Sequence, residues 1–98
     1  MGVRSRSTAG GAQFGLAVST SVVTLTVPTA ANTAELYVRT NSMVFTRDGT
    51  DPTATKGIQA DVGDIIVLNS RDELDRFKII RESANGTTDV EYFTDVSG

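Results

Sequence analysis

A chain of 98 residues is long enough for one domain with one hydrophobic core and too short for two ordinary domains. It contains neither cysteine nor histidine, which excludes disulfide bonds, thiolate nucleophiles and the usual zinc ligands. The net charge is −3 and 39% of the residues are hydrophobic, so we expect a folded chain rather than a disordered one. We predict that it is not an enzyme and that it needs no cofactor.

No segment resembles a membrane span or a targeting signal. The longest apolar run, residues 65–68, is one short strand in length, whereas a membrane-spanning helix needs ~20 apolar residues. The N-terminus lacks the apolar stretch of a secretory signal, and Arg6 stands where a myristoylation motif has Ser or Thr. We therefore expect a soluble protein that stays where it is made.

The first 13 residues are small, polar and rich in glycine, and they show no hydrophobic periodicity. This composition predicts a flexible N-terminal arm over residues 1–13, followed by a single domain over residues 14–98. Arg4 and Arg6 could contact phosphates, but two charges on an acidic chain give only weak nucleic-acid binding. We interpret Arg4, Arg6 and Phe14 as candidate contacts to a neighbouring subunit.

Strand patterns begin after this arm. Val23, Leu25 and Val27 alternate with threonines, and this pattern predicts a half-buried strand that ends at Pro28. Residues 36–39 repeat the alternation, and Asn41-Ser42 can turn the chain into a third strand over residues 43–47. We predict that the second and third strands form a hairpin.

Three further elements follow the polar loop over residues 48–57. Residues 58–60 predict a short strand, and residues 61–64 predict a turn into a strand over residues 65–68 that is apolar enough to be buried. Ser70 and Glu73 have the spacing of a capping box, so a single helical turn is an alternative to a plain loop there.

The clearest hairpin signal is Asn85-Gly86. A two-residue turn there places Ile79 opposite Tyr92. Phe93 then lies on the face away from the core, and we interpret it as a candidate subunit contact. The same turn also sets two acidic residues opposite each other, which leaves a bulge or a longer loop open. The core face of this hairpin is predicted to carry Phe77, Ile79, Val90 and Tyr92.

No stretch sustains an amphipathic helix of normal length, and the elements amount to seven or eight short strands. This pattern predicts an all-β fold, a small β-sandwich of immunoglobulin-like or jelly-roll-like type, with a small closed barrel as the alternative.

Four aspartates form two Asp-x-x-Asp pairs, Asp48 with Asp51 and Asp61 with Asp64, which could supply oxygen ligands to calcium. Neither pair has the spacing of a known calcium loop, and aspartate beside glycine commonly stabilises a turn, so we predict no metal site. We interpret residues 48–56 as an exposed loop available for subunit contact through Asp48, Thr50, Asp51 and Pro52.

The run from Met43 to Ile58, together with residues 62–66 and 74–81, resembles small virion structural proteins of tailed bacteriophages. Those proteins share the D-G-T-x-P-T-x-x-x-G loop, the G-D turn and the E-L-x-x-F-x-x-I-R stretch, and the resemblance covers about residues 22–82 of this chain. It implies a non-enzymatic head decoration or accessory protein that binds the major capsid protein as a homo-oligomer. It also implies assembly into a virion in the host cytoplasm. A tail or connector component is the alternative.

A weaker similarity links the same loop to immunoglobulin-like accessory domains of carbohydrate enzymes, although Phe45 stands where those domains have tyrosine. A carbohydrate-binding module requires at least two exposed aromatic side chains, and the candidates are Tyr37, Tyr92, Phe93 and Phe14. An inhibitor of a host enzyme is a further alternative. We predict no nucleic-acid, membrane or small-molecule partner.

Overall fold

The computed structural model describes the backbone of residues 4–97 and the side chains of residues 11–94. Seven strands and one short helix follow one another along this described part of the chain. They are β1 (Arg4–Val18), β2 (Thr33–Thr40), β3 (Met43–Thr46), β4 (Ile58–Ala60), β5 (Ile65–Leu68), α1 (Arg71–Arg76), β6 (Lys78–Arg81) and β7 (Gly86–Ser97).

The strands form two antiparallel sheets, one in the order β1-β7-β2-β5 and the other in the order β4-β3-β6. Ala34, Leu36 and Val38 of β2 alternate with more exposed residues, as expected for a strand with one face on a core. The prediction of a small all-β sandwich of about seven strands is confirmed.

Aromatic residues occupy the centre of the core between the sheets. Phe45 of β3 stacks on Phe77, which follows α1, with 5.7 Å between the ring centroids. Tyr92 and Leu36 contribute from the larger sheet and are almost completely buried. Among the residues with described side chains, no buried polar atom lacks a hydrogen-bond partner.

Both predicted hairpins are wrong, because each chain turn crosses from one sheet to the other. β2 belongs to the four-stranded sheet and β3 to the three-stranded sheet, and Asn41, with a φ of 58°, redirects the chain between them. β6 and β7 are separated in the same way. All four residues predicted to share one buried face are buried, but they approach one another from opposite sheets: Phe77, Ile79, Val90 and Tyr92.

The strand predicted over residues 23–27 keeps its alternation but does not join a ladder. Val23, Leu25 and Val27 are half-buried against the core. Only Val23 pairs with a strand, exchanging backbone hydrogen bonds of 2.9 and 3.0 Å with Ile79. The Thr26 N–H donates instead to the Gln13 side chain at 3.1 Å. Periodicity had indicated the buried face correctly, but not whether a neighbouring strand was present.

The predicted flexible arm differs from the structure over residues 4–13. These residues are the first part of β1, which pairs with β7 from Arg4 opposite Ser97 to Val18 opposite Gly86. The strand runs through the predicted boundary at residue 13, while residues 1–3 lie outside the described part. Arg4 and Arg6 are placed by their backbones only. Small residues without periodicity can form a strand here because a long partner strand lies alongside.

At the capping-box sequence the structure has the helical turn that was the alternative to a plain loop. Ser70 is the N-cap of α1, and its Oγ accepts a hydrogen bond from the Glu73 N–H at 3.2 Å. The Glu73 carboxylate accepts from the Asn69 N–H at 2.8 Å, one residue earlier than in an ideal capping box. Arg71 donates to the carbonyls of Pro28 and Ala31 at 2.8 and 3.1 Å, so α1 holds the connection that leads into β2.

The buried Tyr92 hydroxyl is expected to lower the free energy of unfolding at alkaline pH. Its hydroxyl donates to Gln13 Oε1, and burial raises its pKa to about 12 from an ordinary value of 10.0. Because the folded-state pKa is the higher one, this stabilisation is complete below pH 10 and is lost as the pH rises through about 12. Between pH 8 and pH 11 the wild type should lose about 1.4 kcal/mol more unfolding free energy than Tyr92→Phe. Urea denaturation at both pH values measures this difference, and equal losses would contradict it.

Candidate functional site

The open side of the sandwich lies between the edge strands β4 and β5, one from each sheet. Two adjoining hollows of about 320 and 200 Å³ share Phe45, Arg47 and Ile58 in their walls, and the smaller one also reaches Ile65. We call this depression the β4–β5 groove. Its walls combine the largely exposed Ile58 with Arg47, and residues 64–66 at the start of β5 border it.

Arg47 and Phe45 form the floor of the groove where β3 ends. The guanidinium carbon of Arg47 lies 5.0 Å from the centroid of the Phe45 ring, a cation–π distance. Phe45 itself is buried, with its ring also stacked on Phe77. The arginine is therefore positioned by the core rather than by a loop.

Internal hydrogen bonds shape the loop from Arg47 to Gly57, which borders the larger hollow. The Asp48 carboxylate accepts from the Thr50 N–H at 3.0 Å, and this bond holds the pKa of Asp48 below its usual range. Thr53 and Lys56 exchange backbone hydrogen bonds of 3.0 and 3.2 Å. These hydrogen bonds within the loop hold its backbone in one conformation.

The loop residues predicted as subunit contacts do not all reach the surface. Asp48 and Asp51 are exposed and Thr50 is half-buried, but the Pro52 side chain is fully buried, so its interpretation as a surface contact is wrong. The Asp51 carboxylate lies 2.6 Å from Lys78 Nζ, which ties the loop to β6. Pro52 acts as an anchor beneath the loop, because an apolar ring is more stable against the core than in water.

The aspartates serve turns rather than forming a cluster. Asp64 accepts from the Asp61 N–H at 2.7 Å, and Asp61 accepts from Ser42 Oγ at 2.9 Å. Among residues 11–94, whose side chains are described, no group of three or more acidic, histidine or cysteine residues is placed to hold a metal ion. Each carboxylate pair is accounted for by the backbone and side chains next to it.

Of the aromatic candidates, Phe14 is the one that is mainly exposed. Its side chain is 71% exposed at a bulge in β1, where the Gly15 N–H donates to the Asp89 carboxylate at 2.7 Å. Phe93 is half-buried but does not belong to the core cluster, as predicted from its position next to Tyr92, whereas Tyr92 is buried in that cluster. The two or more exposed aromatics required by a carbohydrate platform are therefore not brought together in the part of the chain whose side chains are described.

The exposed face of β5 was missed by the sequence analysis. The uniformly apolar run predicted a buried strand, but only Ile66 and Leu68 are buried, while Ile65 is 56% and Val67 41% exposed. β5 is the last strand of its sheet, and its outer face has no covering layer among residues 4–97. An apolar run cannot distinguish a strand covered on both faces from one that presents an apolar face to a partner.

No protein-family model matches the chain, and no curated protein or solved structure shows a significant similarity to it. Within the described range, no helix has the length and apolar character needed to cross a membrane.

Proposed function

We propose that this chain is a non-enzymatic virion structural protein of a tailed bacteriophage, a head decoration or accessory protein that binds the capsid as a homo-oligomer. The observation that carries this proposal is an internally hydrogen-bonded loop, residues 47–57, beside an exposed apolar groove, and the sequence of this loop is part of the run that resembles phage virion proteins. A loop held by its own hydrogen bonds loses little entropy when it contacts a partner.

The chemistry of the groove also favours protein contact. Ile58 presents apolar surface next to Arg47, and apolar side chains together with arginine are typical of protein–protein interfaces. The neighbouring aspartates are engaged in turn hydrogen bonds and the Asp51–Lys78 ion pair. The major capsid protein is the partner that the phage resemblance implies, and the virion is the implied location.

Sedimentation with virus particles tests this function. Purified chain is mixed with heads that lack it and, separately, with isolated tails, and the pellets are assayed for bound chain. Saturable binding to heads in a fixed ratio is expected, and Ile58→Lys should weaken it because the substitution places a charge in the groove. Val22→Lys is the matched control, since Val22 is also an exposed apolar residue but does not line the groove.

Three outcomes would contradict the head-decoration proposal. Binding to tails alone would assign the chain to the tail or connector, and recovery of a glycan on an array would favour a carbohydrate-binding module. Capture of a host enzyme without particle binding would favour an inhibitor.

A further inference from the structure

The four sheet edges of this sandwich are not equally protected. β1 is interrupted by two register shifts, β4 has only three residues, and the free side of β6 is covered by backbone bonds from Ser19 and Val23. Bulges, short length and covering segments are the usual ways in which proteins prevent unwanted strand pairing. β5 has a regular register and contains no proline and no charge. It is the edge on which a further strand fits best.

The backbone of β5 indicates which of its groups are available for pairing. The Asp64 carbonyl accepts from the Val38 N–H at 3.0 Å, so residue 64 points its carbonyl toward β2. Backbone direction alternates along a strand, and hence Ile66 also faces β2. The N–H and C=O groups of Ile65 and Val67 face the free edge, where the described chain places no further strand.

We propose that a second copy of this chain pairs with β5 in antiparallel orientation, across a two-fold axis at Ile66. This register places Ile65 opposite Val67 of the second copy, and each such pair can exchange both of its outward backbone hydrogen bonds. It also keeps the buried faces of the two sheets on the same side, since residues that oppose each other share a face. The two four-stranded sheets become one continuous sheet of eight strands.

The exposed side chains of β5 can pack against the same side chains of a second copy. Ile65 and Val67 are exposed on the outer face, and the pairing brings two of each into one apolar cluster. Within the strand and its flanking turn the nearest charge is Asp64, which lies opposite Leu68 of the second copy. Glu35 neighbours Val67 from β2, on the side of β5 away from the second copy, so no like charges face each other across the axis. An uncharged, self-complementary edge favours a second copy over a partner that would be recognised through charge.

This inference deepens the homo-oligomer part of the proposed function. Sedimentation equilibrium over a range of concentrations measures the dimer dissociation constant of the full chain. Val67→Lys should raise that constant at least about tenfold, because both Val67–Ile65 contacts are lost and two like charges come to lie diagonally across the axis on the same face. Val62→Lys is the matched control: Val62 is 57% exposed in the turn before β5, and the constant should change less than about twofold. Thermal unfolding of both variants verifies that they are folded.

A complementary pair of variants tests the register. Ile65→Lys and Val67→Glu should each weaken self-association, whereas their mixture should form a heterodimer in which the two introduced charges face each other. Failure of the mixture to associate more tightly than either variant alone would overturn the register.

The dimer and the virion function can fail separately. A wild-type chain that remains monomeric at millimolar concentration overturns the dimer, even if it binds heads. If Val67→Lys abolishes head binding by such a monomer, the β5 edge is a capsid contact and not a dimer contact. A dimer that binds no particle supports the edge pairing and overturns the proposed function alone.

Discussion

Phe77→Ala is expected to lower the free energy of unfolding by about 3–5 kcal/mol, the usual cost of removing a buried phenylalanine ring. Phe77 has no exposed surface, and its ring stacks on Phe45 at 5.7 Å. It lies directly after α1, where the main chain is fixed by the helix on one side and β6 on the other, so the cavity cannot close easily. Urea denaturation followed by circular dichroism measures the change.

Phe14→Ala is the matched control for this experiment, because it deletes the same ring from a side chain that is 71% exposed. Its cost should be within about 0.5 kcal/mol, as for most surface substitutions. Similar losses for the two variants would contradict the placement of Phe77 at the centre of the core.

Gly86→Ala is expected to destabilise the protein by about 3 kcal/mol, at the upper end of the range for an overpacked site. A Cβ atom at Gly86 would lie 2.0 Å from the Thr40 carbonyl oxygen and 3.0 Å from Met43 Cε. The carbonyl cannot move away freely, because the Thr40 hydroxyl also accepts from the Thr87 N–H at 2.8 Å. Relief of the clash would require β2 and β7 to separate at this end.

Gly15→Ala is the control that distinguishes the steric clash at Gly86 from the backbone cost of replacing a glycine. Gly15 has a φ of +70°, but no atom lies within 4 Å of the position of its Cβ. The substitution should cost about 1–2 kcal/mol from backbone conformation alone. Thermal and urea denaturation should therefore rank Gly86→Ala as the less stable variant, and the reverse order would contradict the close approach of β7 to Thr40.

The candidate site was partly predictable from the sequence. The loop at Gly49 and Gly57 was expected because Asp-Gly, proline and threonine favour particular turn geometries, and both glycines have positive φ in the structure. The burial of Pro52 and the groove beside Ile58 were not predictable, because both depend on which strands end beside the loop.

Local interactions determined much of this protein. Alternating apolar residues identified the buried faces of β2 and of residues 23–27, and Ser70 with Glu73 marked the start of α1. These features depend on neighbours two to four residues away, so the chain specifies them without reference to the rest of the fold.

Strand partners were decided only by the tertiary structure. A turn such as Asn85-Gly86 suits a hairpin, yet β6 and β7 lie in different sheets. Packing the apolar faces of the two strands against each other stabilises the fold more than one edge-to-edge pairing between them would. The same competition placed residues 4–13 beside β7 and left one face of β5 exposed. Alternation specifies which face of a strand is apolar, but the partner that covers that face is chosen by the packing of the whole chain.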